Sequence, residues 1–340
     1  MANSLPRIES VTPPAAIPGG TLELRGSSLA GTDYSQPSVQ VGSLAARLVV
    51  SASCRLVVNV PEEAESDAIK VFTAAGGSAP GQFSLGRSLA TEVHPVANPV
   101  VDQSGNIITT FSGQRGKKVP VSIFKILPGG EVTAFLSGII NPTGLALKAD
   151  GTLLVTSRHD GTVYAVSPNA EVEVFAEGMG VATGLAVDGS DNVYVGDRTG
   201  TVFKINPKRE IFVYATLEPS VAAFHLAFCE REQLLYVSAP STSSSEVVKR
   251  INGDGAVTTW WHGFGRPQGI AFDAQGRLHV CASFEGNRGI FRVTDAEADQ
   301  SDGGVEHVVS GHGIVGLAFA PDKSMVIATG SSIYRIPELP

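Results

Sequence analysis

The chain has 340 residues, 43% of them hydrophobic and 17% charged, with a formal net charge of −8. That composition supports a buried core and excludes a disordered chain. Residues 1–88 carry six Lys/Arg against seven Asp/Glu, and the remainder 19 against 26, so neither part has the basic excess that a phosphate backbone demands. Nucleic acid is therefore not expected as a partner.

The length suits two domains, and 38 Gly with 20 Pro suit a turn-rich β protein. No apolar run reaches the ~18 residues of a membrane span, so no membrane partner is expected. The start, MANSLPRIES, has no basic-then-apolar leader. Cys54, Cys229 and Cys281 are far apart and lie in or beside apolar stretches. They read as buried free thiols, which suit a reducing compartment. A cytoplasmic location is expected.

Residues 5–85 are short alternating runs broken by turns. Thr21–Arg25, Val39–Val41, Leu56–Val60 and Ala68–Phe72 alternate apolar and polar between Gly19-Gly20, Gly26, Gly42 and Gly76-Gly77. Period-2 runs with such breaks predict a small sandwich of antiparallel strands. The segments PRIESVTPPAAIPGGTLELRGSSL, VQVGSLAARLVV and VNVPE, ending at Phe83, resemble the IPT/TIG family of Ig-like domains. The resemblance implies a spacer or docking role, because this copy is not basic.

From residue 89 the sequence repeats. NPTGLALKADGTLLVTSRHDGTVYAVSPNAEVEVF and VATGLAVDGSDNVYVGDRTGTVFKINPKREIFVYA are the plainest copies, each with four strand-like runs. Matching positions fall at Asn98, Gly144, Gly184, His225, Gly269 and Gly316, a period of about 40–50 residues that predicts a six-bladed β-propeller. Gly144, Gly184, Gly269 and Gly316 are the small residues that suit strands crowded around an axis. The last copy stops at Ile336 after three strands, and Leu89–Val93 is the spare strand expected to complete it and close the ring. The expected fold is all-β, an Ig-like sandwich over residues 1–87 followed by a propeller over 88–340. The blades resemble NHL repeats in VYVGDRTGTVFKI and gluconolactonase/regucalcin-type propellers in RPQGIAFDAQGRLHV.

Sites in such rings collect where the chain enters the inner strands. His94, Arg158, His159, Asp197, Arg198, His225, Gln268, Glu285 and His312 are the candidate ligand-binding residues there, with Phe284, Asn287 and the loops 112–120 and 238–245 beside them. Resemblance to the metal-dependent lactonases implies a divalent cation, such as calcium, held by Glu, Asn and Asp. The matching positions carry Ala97, Phe224 and Gln268, which cannot hold a dication. Resemblance to the amidating-lyase propellers implies zinc held by His. The matching positions carry Thr143, Thr183, Phe224, Gln268 and Val315, while His225 is one residue late and so on the opposite strand face. No cofactor and no catalytic residue is therefore assigned. His94 and His312 are expected on neighbouring blades.

Asp295, Glu297, Asp299 and Glu306 have EF-hand-like offsets but Gln300 where the loop needs Gly, so a solvated acidic loop is expected. Arg115-Gly116-Lys117-Lys118 reads as a solvated basic tip. Trp260-Trp261 should pack one ring and expose the other.

These residues lead to a non-catalytic binding or scaffold protein whose mouth takes a small polar ligand, anionic or sugar-like, or a protein segment. The alternative is a gluconolactonase-like hydrolase or lyase with a divergent site. Arg158 and Arg198 occupy matching repeat positions and are expected to cluster with Asp197 at the rim.

Overall fold

The computed structural model describes residues 4–30, 36–243, 245–294 and 304–339. Every regular element among them is a β-strand.

At the N-terminus an eight-stranded sheet runs in the order Arg7–Thr12, Thr21–Ser27, Arg55–Asn59, Leu44–Ala52, Ser38–Val41, Ala68–Thr73 and Gly76–Gly77, with Gly81–Gln82 also pairing with Ala68–Thr73. The alternating runs become strands because alternate residues share one buried face. Leu22 and Leu24, Val39 and Val41, Leu56 and Val58, and Ile69 and Val71 meet in one core. The nine-residue strand Leu44–Ala52 turns the corner: its first three residues pair with Ser38–Val41 and residues from Arg47 onward with Arg55–Asn59. Strands that change partner in this way fold a sheet back on itself.

The rest of the described chain forms a propeller-like ring of five four-stranded sheets and one six-stranded sheet. In chain order, sheet I holds Val100–Val101, Ile107–Thr110, Ile123–Ile126 and Val132–Leu136. Sheet II holds Pro142–Leu147, Leu153–Ser157, Thr162–Val166 and Val172–Ala176. Sheet III holds Ala182–Val187, Val193–Asp197, Thr201–Ile205 and Ile211–Thr216. Sheet IV holds His225–Cys229, Leu234–Ser238, Glu246–Ile251 and Val257–Phe264. Ile270–Phe272, Leu278–Phe284, Asn287–Val293 and Val305–Ser310 belong to sheet V. Ile314–Phe319, Met325–Thr329 and Ile333–Ile336 belong to sheet VI. Each innermost strand touches the next in sequence, and the last touches the first.

Two features tie the ring together. Arg87–Ala90 pairs antiparallel with Ile333–Ile336 and completes sheet VI, two residues earlier than the expected Leu89–Val93, and the Val93 amide still donates to the Ser331 carbonyl. Asn98 works as a staple: its Nδ2 donates to the Ile270 carbonyl at 2.8 Å and its Oδ1 accepts the Leu317 amide at 3.1 Å. One side chain thus links the inner strands of sheets I, V and VI.

The two parts of the chain are also joined by backbone. Ala15–Ala16 adds in parallel to Val305–Ser310, and Ser84–Leu85 adds in parallel to Ala15–Ala16. Ala15 and Ile17 then lie in the same apolar cluster as Ile290, Val309 and Leu317. The extra strands cover the outer edge of sheet V, which would otherwise present unpaired amides and carbonyls.

Some expectations are corrected. Cys54 is exposed at a turn, whereas Cys229 and Cys281 are buried. Trp261 is buried, but Trp260 is half-buried rather than exposed, its ring edge-on to Tyr236 at 4.9 Å. Asp295, Glu297 and Asp299 lie outside the described residues. Glu306 is bound by the Arg292 guanidinium at 2.5 Å.

Asn98→Ala should cost about 2–4 kcal/mol, because it strands a buried carbonyl and a buried amide on neighbouring inner strands. Chemical denaturation of the full chain reads this as a lower midpoint with an unchanged slope. The parallel strand addition further predicts that both parts tumble as one body. Separate rotational correlation times in amide relaxation would contradict it.

Candidate functional site

Arg158 follows the strand Leu153–Ser157 and Arg198 follows Val193–Asp197, so both emerge on the face where the chain enters the inner strands. A third cation is placed beside them by Asn141. This residue is fully buried, with a φ of 48°. Its Oδ1 accepts the Gly116 amide at 2.7 Å, and its Nδ2 donates to the Gly113 and Gln114 carbonyls at 3.0 and 3.1 Å. Its own carbonyl accepts the Arg158 amide at 3.2 Å. One asparagine therefore pins the tip of the 112–120 loop, and Arg115 with it, against sheet II.

The result is an unbalanced cluster. The Arg158 guanidinium is held below its ordinary value by burial and by the charges of Arg198 and Arg115. Its Nε is buried and bonds to nothing, and the Ser112 hydroxyl on the adjoining loop is in the same position. Arg198 Nε donates to the Ser220 carbonyl at 3.1 Å. No carboxylate of the described residues pairs with any of the three arginines.

The acids expected to balance them are used elsewhere. Asp197 does not join the cluster: it is buried, its carboxylate accepting the Val181 amide at 2.9 Å, the Thr199 amide at 3.1 Å and the Thr199 hydroxyl. Those bonds shape the turn after its strand, so the acid is spent on local backbone. Asp160 accepts the Thr162 amide at 3.1 Å and the Tyr164 hydroxyl at 2.9 Å.

His225 is corrected in position. It begins an inner strand and is buried there, 3% exposed, instead of reaching across the mouth. Phe224 packs back toward sheet III, where a Cβ on Gly196 would come within 2.8 Å of its own Cβ. Strand alternation turns His225 the other way, toward Gln268 at the start of sheet V. Burial drives the His225 pKa down to about 4, against a smaller opposing effect of the Gln268 side chain. Its Nε2 has no hydrogen-bond partner.

The other candidates are dispersed. His94 is exposed, its Nδ1 3.3 Å from the Gly330 carbonyl and its ring edge-on to Phe111 at 5.3 Å. His312 is exposed on the Gly311–Gly313 turn and makes no hydrogen bond or ring contact with His94. His159 is exposed beside Gly116, and Glu285 occupies an exposed hairpin tip with a φ of 48°. The residues at the positions where the lactonase resemblance implies a cation do not fit one. Ala97 offers a methyl group, Phe224 is turned into the sheet III packing, and Gln268 offers a neutral amide beside His225. Among the described residues no three His, Cys, Asp or Glu are grouped to hold a metal ion.

A larger cavity, of about 1200 Å³, lies between the N-terminal sheet and the ring. None of the buried, unpartnered polar atoms found among the described residues belongs to its lining.

No family model and no curated protein sequence matches the chain. Solved structures do. An auxiliary nutrient-binding protein from Bacteroides thetaiotaomicron is 13% identical, with 98% of each chain covered and a TM-score of 0.56. A putative gluconolactonase is 17% identical over 78% of this chain and 93% of its own, with a TM-score of 0.59. Streptogramin B lyase is 14% identical over 86% and 92%, with a TM-score of 0.52. At these identities the likeness is one of fold, and the fold is a β-propeller.

Asn141→Ala should free the 113–116 segment, leaving three backbone groups without their partner at a cost of about 2–4 kcal/mol. Amide exchange at Gly116 should rise out of proportion to the global loss. A second expectation concerns pH. His225 is depressed from 6.5 to about 4 by burial, and His279 and His307 are also lowered to about 4, chiefly by burial. In that window the unfolded chain binds more protons than the folded one, so stability is complete above pH 6.5 and lost as pH falls toward 4. His225 alone accounts for about 3 kcal/mol of this. Thermal unfolding from pH 7 to pH 4 should show the loss, and His225→Leu should make it shallower.

Proposed function

We propose that this chain is a non-catalytic binding protein whose ring takes a small anionic ligand, of the sugar-acid or sugar-phosphate class, at the Arg115, Arg158 and Arg198 cluster. The observation that carries this reading is the half-buried Arg158 guanidinium, with an unpartnered Nε and two further arginines beside it. Like charges held together without a carboxylate raise the free energy of the empty site, and an anion relieves it. A guanidinium also presents a planar fork matched to carboxylate or phosphate. The nutrient-binding neighbour, aligned over almost the full length of both chains, supports binding by the same architecture.

In this reading residues 1–87 form an Ig-like module of the IPT/TIG type. Residues 88–340 form a six-bladed propeller with NHL-like and lactonase-like blades. The six-stranded sheet counts as a four-stranded blade extended by Ala15–Ala16 and Ser84–Leu85. The module serves as a fixed spacer, because its strands continue a blade. The gluconolactonase and lyase neighbours keep a hydrolase or lyase reading alive, but the residues at the implied cation positions do not serve it.

Calorimetric titration with glucuronate, gluconate, glucose 6-phosphate and neutral glucose tests the reading. The anions should bind more tightly than glucose and weaken as salt rises. Arg158→Ala should lower anion affinity about tenfold to hundredfold and leave any glucose binding unchanged. Equal binding of glucose and the acids would refute it, and turnover of lactones by the same preparation would favour the enzyme.

A further inference from the structure

The third cation of the cluster does not come from the repeat. In sheets II and III the second and third strands are joined by short turns, residues 158–161 and 198–200, whereas in sheet I the same connection runs from 111 to 122. The long connection reaches across to sheet II. The Gly116 amide lies 2.7 Å from Asn141 Oδ1, and a Cβ on Gly116 would stand 3.6 Å from the His159 ring. Arg115 directly precedes Gly116, and Arg158 directly precedes His159. The backbone therefore brings the two arginines to one spot. Arg115 and Arg198 are exposed and Arg158 is half-buried, so all three can be reached from solvent.

The seat for this arm is particular to sheet II. Arg158 and Arg198 are held alike, each by its amide donating to the carbonyl of the residue two before an inner-strand threonine: Asn141 at 3.2 Å and Val181 at 3.0 Å. Val181 has only an isopropyl group and can hold no loop. Asn141 has a carboxamide, and asparagine tolerates the left-handed backbone found there, with a φ of 48°. Both of its donor hydrogens and one acceptor position are used on residues 113–116. A fully buried carboxamide bound in this way has one orientation, and the arm has one seat.

The seat decides how much charge a ligand meets. Arg158 and Arg198 alone present two guanidiniums. The seated arm adds a third, and none of them has a carboxylate partner among the described residues. A singly charged ligand leaves two of the three charges unrelieved, and a doubly charged ligand leaves one. The third arginine thus bears more on the charge of the preferred ligand than on whether an anion binds at all.

We propose that Asn141 is a positioning residue of the anion site: by seating the 112–120 loop it brings Arg115 to Arg158, and it makes the site prefer a phosphate monoester, doubly charged at pH 8, to a singly charged anion of the same shape. This inference rests on the anion-binding reading given above and narrows it to phosphorylated ligands.

The test compares glucose 6-phosphate with glucose 6-sulfate at pH 8, by calorimetry on the full chain. The two probes share the sugar and a tetrahedral head group and differ by one charge. The wild type should bind the phosphate about tenfold more tightly. Asn141→Gly removes the side chain, while glycine accepts the left-handed backbone and keeps the carbonyl that holds Arg158. It should reduce the ratio to about twofold, chiefly by weakening the phosphate, and make phosphate affinity less dependent on salt. Arg115→Ala should do the same, and the double variant should do no more than either, because both changes remove one charge from the site. Arg115 lies on the exposed tip, so its variant decides the matter even if Asn141→Gly does not fold. Failure of both probes to bind the wild type would remove the anion-binding reading and this inference with it. Equal affinity of the wild type for phosphate and sulfate, a tenfold ratio that survives in either variant, or an equal loss of both probes would overturn this inference and leave that reading standing.

Discussion

The closeness of the inner strands governs the centre of this molecule. A Cβ on Gly144 would stand 2.5 Å from the Thr183 carbonyl oxygen, and one on Gly316 would stand 2.6 Å from the backbone of Ala97. No side chain fits there without moving a neighbouring strand, so glycine at these positions is a requirement of the ring itself. Where the pattern breaks, the side chain must find a different place. Asn98 finds it by bonding the two strands it crosses, and His225 finds it in a buried position beside Gln268, with Nε2 left without a partner. That buried, unpartnered nitrogen is thus a by-product of departing from the repeat.

The same economy explains a cationic mouth on an anionic protein. The chain has a net charge of −8, yet Asp160 and Asp197, the acids that the repeat places nearest the arginines, are spent on shaping turns. Asp102, Asp188 and Asp273 each accept two backbone amides in the inner hairpins at the far end of the strands. Asp197 and Asp160 do similar work near the mouth. An acid folded into its own loop makes a poor partner for an arginine on the next one. Net charge therefore says little about the local field, which depends on the side chains that local structure has left unspent.

Much of this was legible in the sequence. Alternation and turn residues located the N-terminal strands, and the repeat located the inner strands and the spare strand that closes the ring. What escaped notice depends on partners far away in the chain. Ala15–Ala16 and Ser84–Leu85 are two-residue strands with no pattern of their own, and only contact with Val305–Ser310 makes them strands. Asn141 looked like the start of a repeat, although its position before Pro142 and its left-handed backbone are a tolerable signal for a turn with a bonded side chain. Asp197 was misplaced because repeat position fixes where a backbone goes, while the nearest free amides decide where a carboxylate turns.

The union of the N-terminal sheet with sheet V has a consequence for how the protein is made. Thr21 bonds a serine 289 residues further along the chain, and the strand that receives Ala15–Ala16 belongs to the penultimate sheet. As the chain leaves the ribosome, the N-terminal sheet has its own core and can fold at once, but its docking edge has not yet been synthesised. Arg87–Ala90 must wait longer still, because its partner Ile333–Ile336 is the last strand of the described residues. The first fastening therefore stays open until Val305–Ser310 emerges, and the second until Ile333–Ile336 does. Sheets I to IV are made within that interval, before either fastening can form.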